Sequence, residues 1–375
     1  MKILIVAGEA SGDLHASRVI HALRRRRPDV EVFAVGGPRM SEAGATMVAG
    51  SEHFGVMGFT EVLFKLPRFV ALMWKMKVFI ERHQPQLVIA VDFPGFNLRL
   101  SRLAKGMGVP VLYYIAPQVW AWGRSRLPAM SSIVDKVAVV FPFEVELFRA
   151  HGIDVEFVGH PLLESLPMTE EKEEVRRGLG LSGSAPLLAL LPGSRAQEVE
   201  RLLPSMLEAA RLLAGSRRVQ IAVSAAETLP RTLFVEVLGR QPMPVHLVEG
   251  QGARLLYVSD AALVASGSAT LEAAVLGTPL VIVYRVSPVS WFIAKRLVKL
   301  DSIGLVNIVA GKRIVSEYLQ GAIDPVRISA ELGELIFDSE RRNRIIGELR
   351  AVAGSLGTPG ASERVAASAL AMLRS

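Results

Sequence analysis

Acidic and hydroxyl side chains cluster in the loop GEASGDLH, which directly follows the apolar run KILIVA near the amino terminus. Glu9, Ser11 and Asp13 offer hydrogen-bond acceptors, and Gly8 and Gly12 permit backbone angles that other residues avoid. The loop lacks the Gly-Lys-Ser/Thr ending of a P-loop and the Gly-x-Gly-x-x-Gly of a dinucleotide site. It therefore predicts a site for sugar hydroxyls or an amide, with N-capping by Ser11 or Asp13 as the alternative.

A carboxylate also follows the apolar run QLVIAV, in the stretch AVDFPGFNLRL. Asp92 stands where a buried strand ends, and ligands of open α/β sheets bind at the carboxyl ends of the strands. The pattern makes Asp92 a candidate general base for a hydroxyl. Capping of a helix that begins near Phe96 is the alternative.

A cation follows the apolar run PLLALL, in the stretch PGSRAQEVERLLP. Gly193 lets the chain turn, and Arg195 stands where a helix begins. A guanidinium at this position suits bidentate contact with a diphosphate. A simple ion pair with Glu198, one helical turn further on, is the alternative.

Small residues follow the apolar run AALVA, in the stretch ASGSATLEAAVLGTP. Ser266, Gly267, Ser268 and Ala269 predict a helix N-terminus that a phosphate can approach closely. Glu272 lies about one turn further on, where it can accept both hydroxyls of a ribose. Ordinary capping by Ser268, with Glu272 opposing the helix dipole, is the alternative.

The segment MGFTEVLFKLPRFVALMWKMKVFI, residues 57–80, is apolar and basic, with four Lys or Arg and one acid. A helix is predicted from Pro67 onward. One stripe has the spacing of a core face and consists of Phe69, Leu72, Met73, Met76 and Ile80. A second stripe of Val70, Trp74 and Val78 is surrounded by basic residues, namely Lys65, Arg68, Lys75 and Lys77. Such a helix is predicted to lie on an anionic membrane surface, with coverage by neighbouring loops or a partner subunit as the alternative.

Composition limits the class of protein. A chain of 375 residues with 50% hydrophobic residues favours two globular domains. The absence of cysteine excludes disulfides, thiolate zinc sites and a cysteine nucleophile. The net charge of +7 comes mostly from the first 160 residues, but no aromatic platform or recognition helix accompanies it, so nucleic acid is not expected as a partner. With no signal peptide and no spanning segment recognisable, a cytoplasmic protein is expected.

Apolar strands alternate with amphipathic helices throughout, which is typical of parallel βαβ units. The predicted strands are 2–7, 30–35, 87–91, 109–115, 136–140, 155–158, 186–191, 219–223, 245–248, 261–265 and 279–284. Proline and charge interrupt this rhythm at 163–174, where a linker is predicted. The fold class is therefore α/β, with two Rossmann-like domains facing a cleft. Their expected bounds are 1–165 and 166–360, followed by a C-terminal helix, 361–375, that returns to the first domain.

Ten short motifs occur in an order that resembles the lipid-A-disaccharide synthase family of inverting GT-B glycosyltransferases. They are VAGEASGD, GGPRM, VMGFTEVL, DFPGFN, APQVWAW, FVGHPL, LLPGSR, ASGSATLEAA, YRVSP and AKRLVK. The resemblance implies transfer from UDP-2,3-diacylglucosamine to 2,3-diacylglucosamine 1-phosphate, with a β-1,6 linkage formed and UDP released. It also implies an N-terminal acceptor domain, a C-terminal UDP-sugar domain, and peripheral association with the cytoplasmic face of the inner membrane.

The same resemblance assigns roles to residues. Asp92 becomes the candidate base, with Glu9 and Asp13 as other candidates, and Asn307 reaches the diphosphate or donor sugar. No metal and no cofactor are implied, because the UDP-sugar is itself a substrate and Arg195 with the helix end at 266–269 offsets its charge. Two departures are visible: Gly95 stands where some relatives have an acid, and Leu305-Val306 replaces the Leu-Pro of many relatives, which leaves the Asn307 loop undefined.

Two alternative functions remain at this level. Another GT-B enzyme that uses a UDP-sugar, such as a UDP-GlcNAc 2-epimerase or a muramyl-type N-acetylglucosaminyltransferase, has no need of the basic apolar segment. A non-catalytic binder of nucleotide sugars or lipid needs the PGSR and SGSATLE loops but has no need of Asp92. Oligomeric state and acyl-chain preference are not encoded in any recognisable pattern.

Overall fold

The structure is a computed structural model of the chain. It describes residues 1–50, 59–121, 123, 126–166, 168–181, 183–288, 291, 292 and 301–373, with the backbone alone described for 59–66. The motif AKRLVK, the first residues of VMGFTEVL and the side chain of Lys65 therefore lie outside the described residues. The chain divides into two compact units, one of 1–164 with 356–375 and one of 165–355; these are called unit 1 and unit 2.

Thirteen strands are found in the described part of the chain. They are β1 (Lys2–Ala7), β2 (Glu31–Gly36), β3 (Thr46–Gly50), β4 (Leu87–Val91), β5 (Val111–Tyr114), β6 (Lys136–Val139), β7 (Asp154–Phe157), β8 (Leu187–Leu191), β9 (Gln220–Ala225), β10 (His246–Glu249), β11 (Ala261–Ala265), β12 (Leu280–Tyr284) and β13 (Glu317–Leu319).

The described α-helices alternate with these strands. They are α1 (Ala10–Arg26), α2 (Pro38–Glu42), α3 (Phe59–His83), α4 (Pro94–Gly106), α5 (Leu127–Ile133), α6 (Glu144–Arg149), α7 (Lys172–Gly178), α8 (Ala196–Ser216), α9 (Thr232–Leu238), α10 (Gly252–Val258), α11 (Ala269–Leu276), α12 (Leu305–Ala310), α13 (Pro325–Phe337), α14 (Ser339–Ser355) and α15 (Ala361–Met372).

Each unit contains one parallel sheet with a reversal in strand order. The order in unit 1 is β3-β2-β1-β4-β5-β6-β7, and in unit 2 it is β10-β9-β8-β11-β12-β13. Every strand pairing between these neighbours is parallel. The order reverses between β1 and β4 in unit 1 and between β8 and β11 in unit 2, which are the places where open α/β sheets bind ligands. The predicted α/β class with two Rossmann-like halves is confirmed.

The central strands owe their position to continuous apolar sequence. All five residues of β4, β8 and β11 are buried, as expected for strands covered by helices on both faces. Burial of each Leu, Ile or Val side chain contributes about 1.5–3 kcal/mol to the free energy of folding. These strands therefore form a rigid support for the loops that follow them.

The C-terminal helix α15 packs on unit 1, against α1. The carboxylate of Glu164 accepts hydrogen bonds from the backbone N–H and the hydroxyl of Ser362, both at 2.8 Å. Arg364 Nε donates to the carbonyl of Val158 at 2.7 Å. Glu363 pairs with Arg25 and Arg26 of the basic run near the end of α1, so part of that run fixes the C-terminal helix.

Three elements differ from the sequence prediction. Strands β3 and β13 were not predicted, because both are short edge strands and β13 has only three residues. Helix α3 begins at Phe59, so Pro67 lies inside the helix and does not start it. The prediction places the start of the helix at Pro67 because proline is disfavoured inside helices. The helix nevertheless includes the apolar residues before Pro67.

Asp13 has a structural role that the sequence did not reveal. Its buried carboxylate accepts backbone hydrogen bonds from Gly37 at 3.0 Å, Arg39 at 3.1 Å and Met40 at 3.1 Å. These are the free N–H groups at the start of α2, which has no side-chain cap of its own. Both oxygens of Asp13 thus accept hydrogen bonds from the backbone, which is a structural role, whereas the sequence predicts a candidate base.

Replacing Asp13 by alanine is expected to lower the free energy of unfolding by about 2 kcal/mol, because buried N–H groups lose their acceptor. Denaturant unfolding measures this, and Ser11→Ala, at an exposed position of the same helical turn, should change it by less than about 0.5 kcal/mol. A stable Asp13→Ala protein without activity would return Asp13 to the catalytic candidates.

Candidate functional site

The four loops that carry the candidate functional residues each follow one of the strands that flank the two reversals in strand order. In unit 1, Ala7 of β1 is paired with Val91 of β4, so the opening loop and Asp92 start side by side. In unit 2, Leu191 of β8 is paired with Val264 of β11, so the PGSR and SGSATLE loops start side by side. Each unit therefore carries one pair of adjacent candidate loops.

Asp92 and Phe93 form a turn with an unusual backbone. Their φ angles are 48° and 49°, in the left-handed region that side chains other than glycine disfavour. Two such residues cost roughly 1–3 kcal/mol each, and they persist only where the surroundings enforce them. Helix α4 then begins at Pro94 without a side-chain cap, so the carboxylate of Asp92 does not act as the cap of this helix.

Asn97 and Tyr113 hold this turn. The carbonyl of Asp92 accepts hydrogen bonds from Asn97 Nδ2 at 2.8 Å and from the Tyr113 hydroxyl at 2.7 Å. Asn97, which is fully buried, also donates to Val91 and Val6 at 3.1 and 3.2 Å, so it joins the ends of β1 and β4. Neither residue was assigned a role from the sequence, where Tyr113 is merely a strand residue and Asn97 a helix residue five positions after Asp92.

Burial raises the pKa of Asp92, and the nearby carboxylate of Glu9 raises it further, while a hydrogen bond from the backbone N–H of Phe93 partly opposes both. Water solvates the ionised carboxylate poorly at this position, which makes it more basic than an exposed Asp. A more basic carboxylate at a strand end is able to accept a proton from the hydroxyl of a ligand.

The opening loop contains both exposed and buried residues. Glu9 lies at the N-cap position of α1, exposed and without a side-chain capping bond, and Ser11 is also exposed. Gly12 is buried, and a Cβ at this position would lie only 3.3 Å from the Cβ of Ala7. Glu9 and Ser11 thus remain available to a ligand, whereas Gly12 permits close packing of α1 on the sheet.

An apolar groove of about 740 Å³ opens beside these residues, between α3 and α4. Its described lining consists of Glu9, Phe69, Val70, Met73, Trp74, Lys77, Phe93, Pro94, Gly95, Phe96, Arg99 and Leu103. Its volume falls within the roughly 300–1,000 Å³ typical of ligand pockets. The sequence did not predict this groove, because it depends on how two helices pack.

The outer face of α3 exposes large apolar side chains. Trp74 is 68% and Val70 is 63% exposed, whereas Val78 is half-buried.

Two basic residues of α3 have partners within unit 1. Lys75 donates to the backbone carbonyl of Val48 at 2.6 Å, and Lys77 lies 3.8 Å from the carboxylate of Glu81. Leu72, Met76 and Ile80 of the opposite stripe are buried.

Arg195 stands at the N-cap position of α8 in unit 2. Its guanidinium lies 3.2 Å from Glu198 and is 77% exposed, so the ion pair is present and the cation still faces solvent. The other oxygen of Glu198 accepts from the backbone N–H of Ser194 at 3.1 Å. Gly193, with φ of 113°, leaves room for this carboxylate, since a Cβ there would lie 2.3 Å from it.

The loop after β11 leads into α11 without a side-chain cap, although Ser268 occupies the N-cap position. Ser268 is exposed, and Gly267 and Ala269 are half-buried. The hydroxyl of Ser266 donates to the carbonyl of Ile303 at 3.0 Å. Burial raises the pKa of Glu272. The uncapped end of α11 and Arg195 thus occupy neighbouring loops.

Asn307 supports its own loop. Its Nδ2 donates to Val315 O at 2.9 Å and to Glu317 Oε1 at 2.8 Å. Its Oδ1 accepts from the backbone N–H groups of Ile314 and Val315 at 2.8 and 3.1 Å. All hydrogen-bonding positions of this buried amide are engaged within the protein, which gives Asn307 a structural role, and its contact with the diphosphate or donor sugar stays a prediction. Glu317, which also binds Ile303 and Gly304, was missed in the sequence.

Two further features are absent from the described residues. No group of three or more His, Asp or Glu side chains there is arranged to hold a metal ion. In that same part of the chain, no helix combines the length and apolar character needed to cross a bilayer.

Solved structures share the fold across almost the whole chain. The UDP-GlcNAc 2-epimerase of Neisseria meningitidis, bound to UDP-GlcNAc, superposes with a TM-score of 0.68 at 16% identity, covering 99% of this chain and 100% of that one. The calicheamicin glycosyltransferase CalG4 gives a TM-score of 0.62 at 19% identity, covering 100% and 98%. At these identities the likeness concerns the fold alone.

Sequence relatives are more specific. The chain is 45% identical to a lipid-A-disaccharide synthase of Syntrophus aciditrophicus over 99% of this chain and 98% of that one. It is 40% identical to the enzyme of the same description from Myxococcus xanthus, over 99% and 97%. The model of the family described as lipid-A-disaccharide synthetase matches residues 3–356. The chain therefore belongs to the lipid-A-disaccharide synthetase family, glycosyltransferases that form the disaccharide of lipid A.

Proposed function

We propose that the chain transfers diacylglucosamine from UDP-2,3-diacylglucosamine to the 6-hydroxyl of 2,3-diacylglucosamine 1-phosphate. Asp92 removes the proton of that hydroxyl, whose oxygen attacks the anomeric carbon as the bond to UDP breaks on the opposite face. The configuration is thus inverted, and a β-1,6 linkage and UDP result. The observation that carries this proposal is the enforced left-handed turn at Asp92, where a carboxylate of raised pKa stands at the reversal of strand order in unit 1.

Unit 2 is proposed to bind the donor. The leaving UDP carries negative charge on its diphosphate, which Arg195 and the uncapped N-terminus of α11 offset electrostatically. Glu272 lies in the first turn of α11 and is proposed to accept the ribose hydroxyls. This division assigns the nucleotide to one unit and the base to the other.

Replacing Asp92 by asparagine is expected to lower turnover by at least about a hundredfold, because a positioned general base contributes about 10²–10⁴. UDP affinity, measured by calorimetry, should be unchanged. The variant should also unfold at no lower denaturant concentration, since it removes a buried charge. Near wild-type turnover would move the role of base to Glu9.

Replacing Arg195 by alanine is expected to weaken UDP binding and slow turnover together, because the cation acts on ground state and transition state alike. The guanidinium of Arg195 is exposed in its pair with Glu198, so stability should change by less than about 1 kcal/mol. Arg211→Ala removes a similar surface pair with Glu208 elsewhere on α8 and serves as the control. UDP affinity equal to that of the control would exclude the assignment.

No metal is assigned to the proposed reaction, because the protein's own cation and helix end offset the charge of UDP. Activity should therefore persist when divalent ions are removed with EDTA. A rate that collapses in EDTA and returns on addition of Mg²⁺ would contradict this part of the mechanism.

We further propose that the outer face of α3 lies on an anionic membrane surface. Exposed large apolar side chains on a helix with basic neighbours suit the boundary between headgroups and acyl chains. Both substrates carry acyl chains that reside in a bilayer.

Val70 and Trp74 are the main contacts with the membrane, and Val78, being half-buried, contributes less than its sequence spacing implies. Arg68 and Lys77 offer charge to the headgroups, whereas Lys75 is directed to Val48.

Changing Val70, Trp74 and Val78 to serine is expected to reduce binding to phosphatidylglycerol-containing vesicles at least about tenfold in a sedimentation assay, while UDP binding persists. Val326→Ser is the control, since Val326 is 66% exposed on unit 2. Vesicle binding that survives the triple change, or that falls equally in the control, would place the membrane contact elsewhere.

A further inference from the structure

We propose that the groove between α3 and α4 holds an acyl chain of the acceptor and that Gly95 sets how much of the chain the groove admits. This inference rests on the proposed reaction and names a substrate contact within it. The walls are contributed by Phe69, Met73, Phe96 and Leu103, with Phe93 beside them. Aromatic and flexible thioether side chains of this kind bind hydrocarbon without requiring a polar partner.

The position of the groove points to the acceptor. Phe93 and Pro94 line it, and Phe93 directly follows Asp92, the proposed base. A hydroxyl that gives its proton to Asp92 belongs to the acceptor, so a chain carried by the same sugar lies close to this turn. The donor nucleotide, by contrast, is assigned to unit 2.

Charge at the groove supports the same occupant. Its polar lining consists of the cations Lys77 and Arg99 and the acid Glu9. The acceptor combines acyl chains with a phosphate, and the guanidinium of Arg99 beside an apolar groove matches that combination.

Gly95 is the one glycine of the described lining, and the space next to its Cα is open. A Cβ at this position would meet no heavy atom within 4 Å. Gly95 lies in the first turn of α4, outside the left-handed region, so larger residues fit the backbone and favour the helix. A side chain there would extend from the lining of the groove into open space, without disturbing the core.

The test compares Gly95→Leu and Gly95→Phe with Gly106→Leu and Gly106→Phe. Gly106 lies on the same helix and does not line the groove, and a Cβ placed there would also meet no heavy atom within 4 Å. Product formation is measured with a long-chain and a short-chain acceptor. The KM for the long-chain acceptor should rise at least about tenfold in the Gly95 variants, equivalent to excluding roughly two methylene groups.

The KM for the donor and all constants of the Gly106 variants should stay unchanged, and the short-chain acceptor should be affected less. Unchanged acceptor KM in Gly95→Phe would overturn the proposal. A rise confined to the donor KM would overturn it as well, by assigning the groove to the donor chain. Parallel loss of vesicle binding and of activity in both sets of variants would instead indicate a bilayer contact, against the proposal.

Binding of dodecyl phosphate, followed by calorimetry below its micellar concentration, separates the groove from the reaction. Saturable binding that Gly95→Phe abolishes and Gly106→Phe retains supports the groove even in a protein that forms no disaccharide. Equal binding by all variants would overturn the groove assignment while leaving the proposed transferase reaction intact.

Discussion

The turn at Asp92 and Phe93 is the constraint on which the rest of unit 1 depends. Two consecutive residues with φ near +50° are held by hydrogen bonds from Asn97 and Tyr113 to one carbonyl. Because Asn97 also donates to carbonyls at the ends of β1 and β4, one side chain connects the turn to the two strands that flank the reversal in strand order. The carboxylate is thereby fixed at the place where open α/β sheets bind ligands.

The same turn shapes the surroundings of the carboxylate. It directs the ring of Phe93 against Gly8, where a Cβ would lie 2.3 Å from the ring, so the opening loop requires glycine at that position. The ring also forms part of the apolar groove. One backbone conformation thus links the proposed base, the close approach of the opening loop and the proposed lipid contact. Ionised Asp92 lowers stability here, which is a common cost of a functional site.

Much of this arrangement was predictable from the sequence. Continuous apolar runs identify the central strands, and the residues after them identify the four loops. The left-handed turn was not predictable, because neither Asp nor Phe signals it and its partners come from α4 and β5. Asp13 and Asn307 suit chemistry by their residue types, and the structure adds that backbone N–H groups outside their own helices engage their side chains. The groove required the packing of α3 on α4.

The pH dependence of kcat/KM tests the central assignment most directly. Burial raises the folded-state pKa of Asp92 above its ordinary value of 3.8, and a base works only when deprotonated. The rate should therefore fall as pH decreases through an apparent pKa above 3.8, and the residual rate of Asp92→Asn should lack that step. A step at or below the ordinary value, or one that persists in Asp92→Asn, would contradict Asp92 as the base.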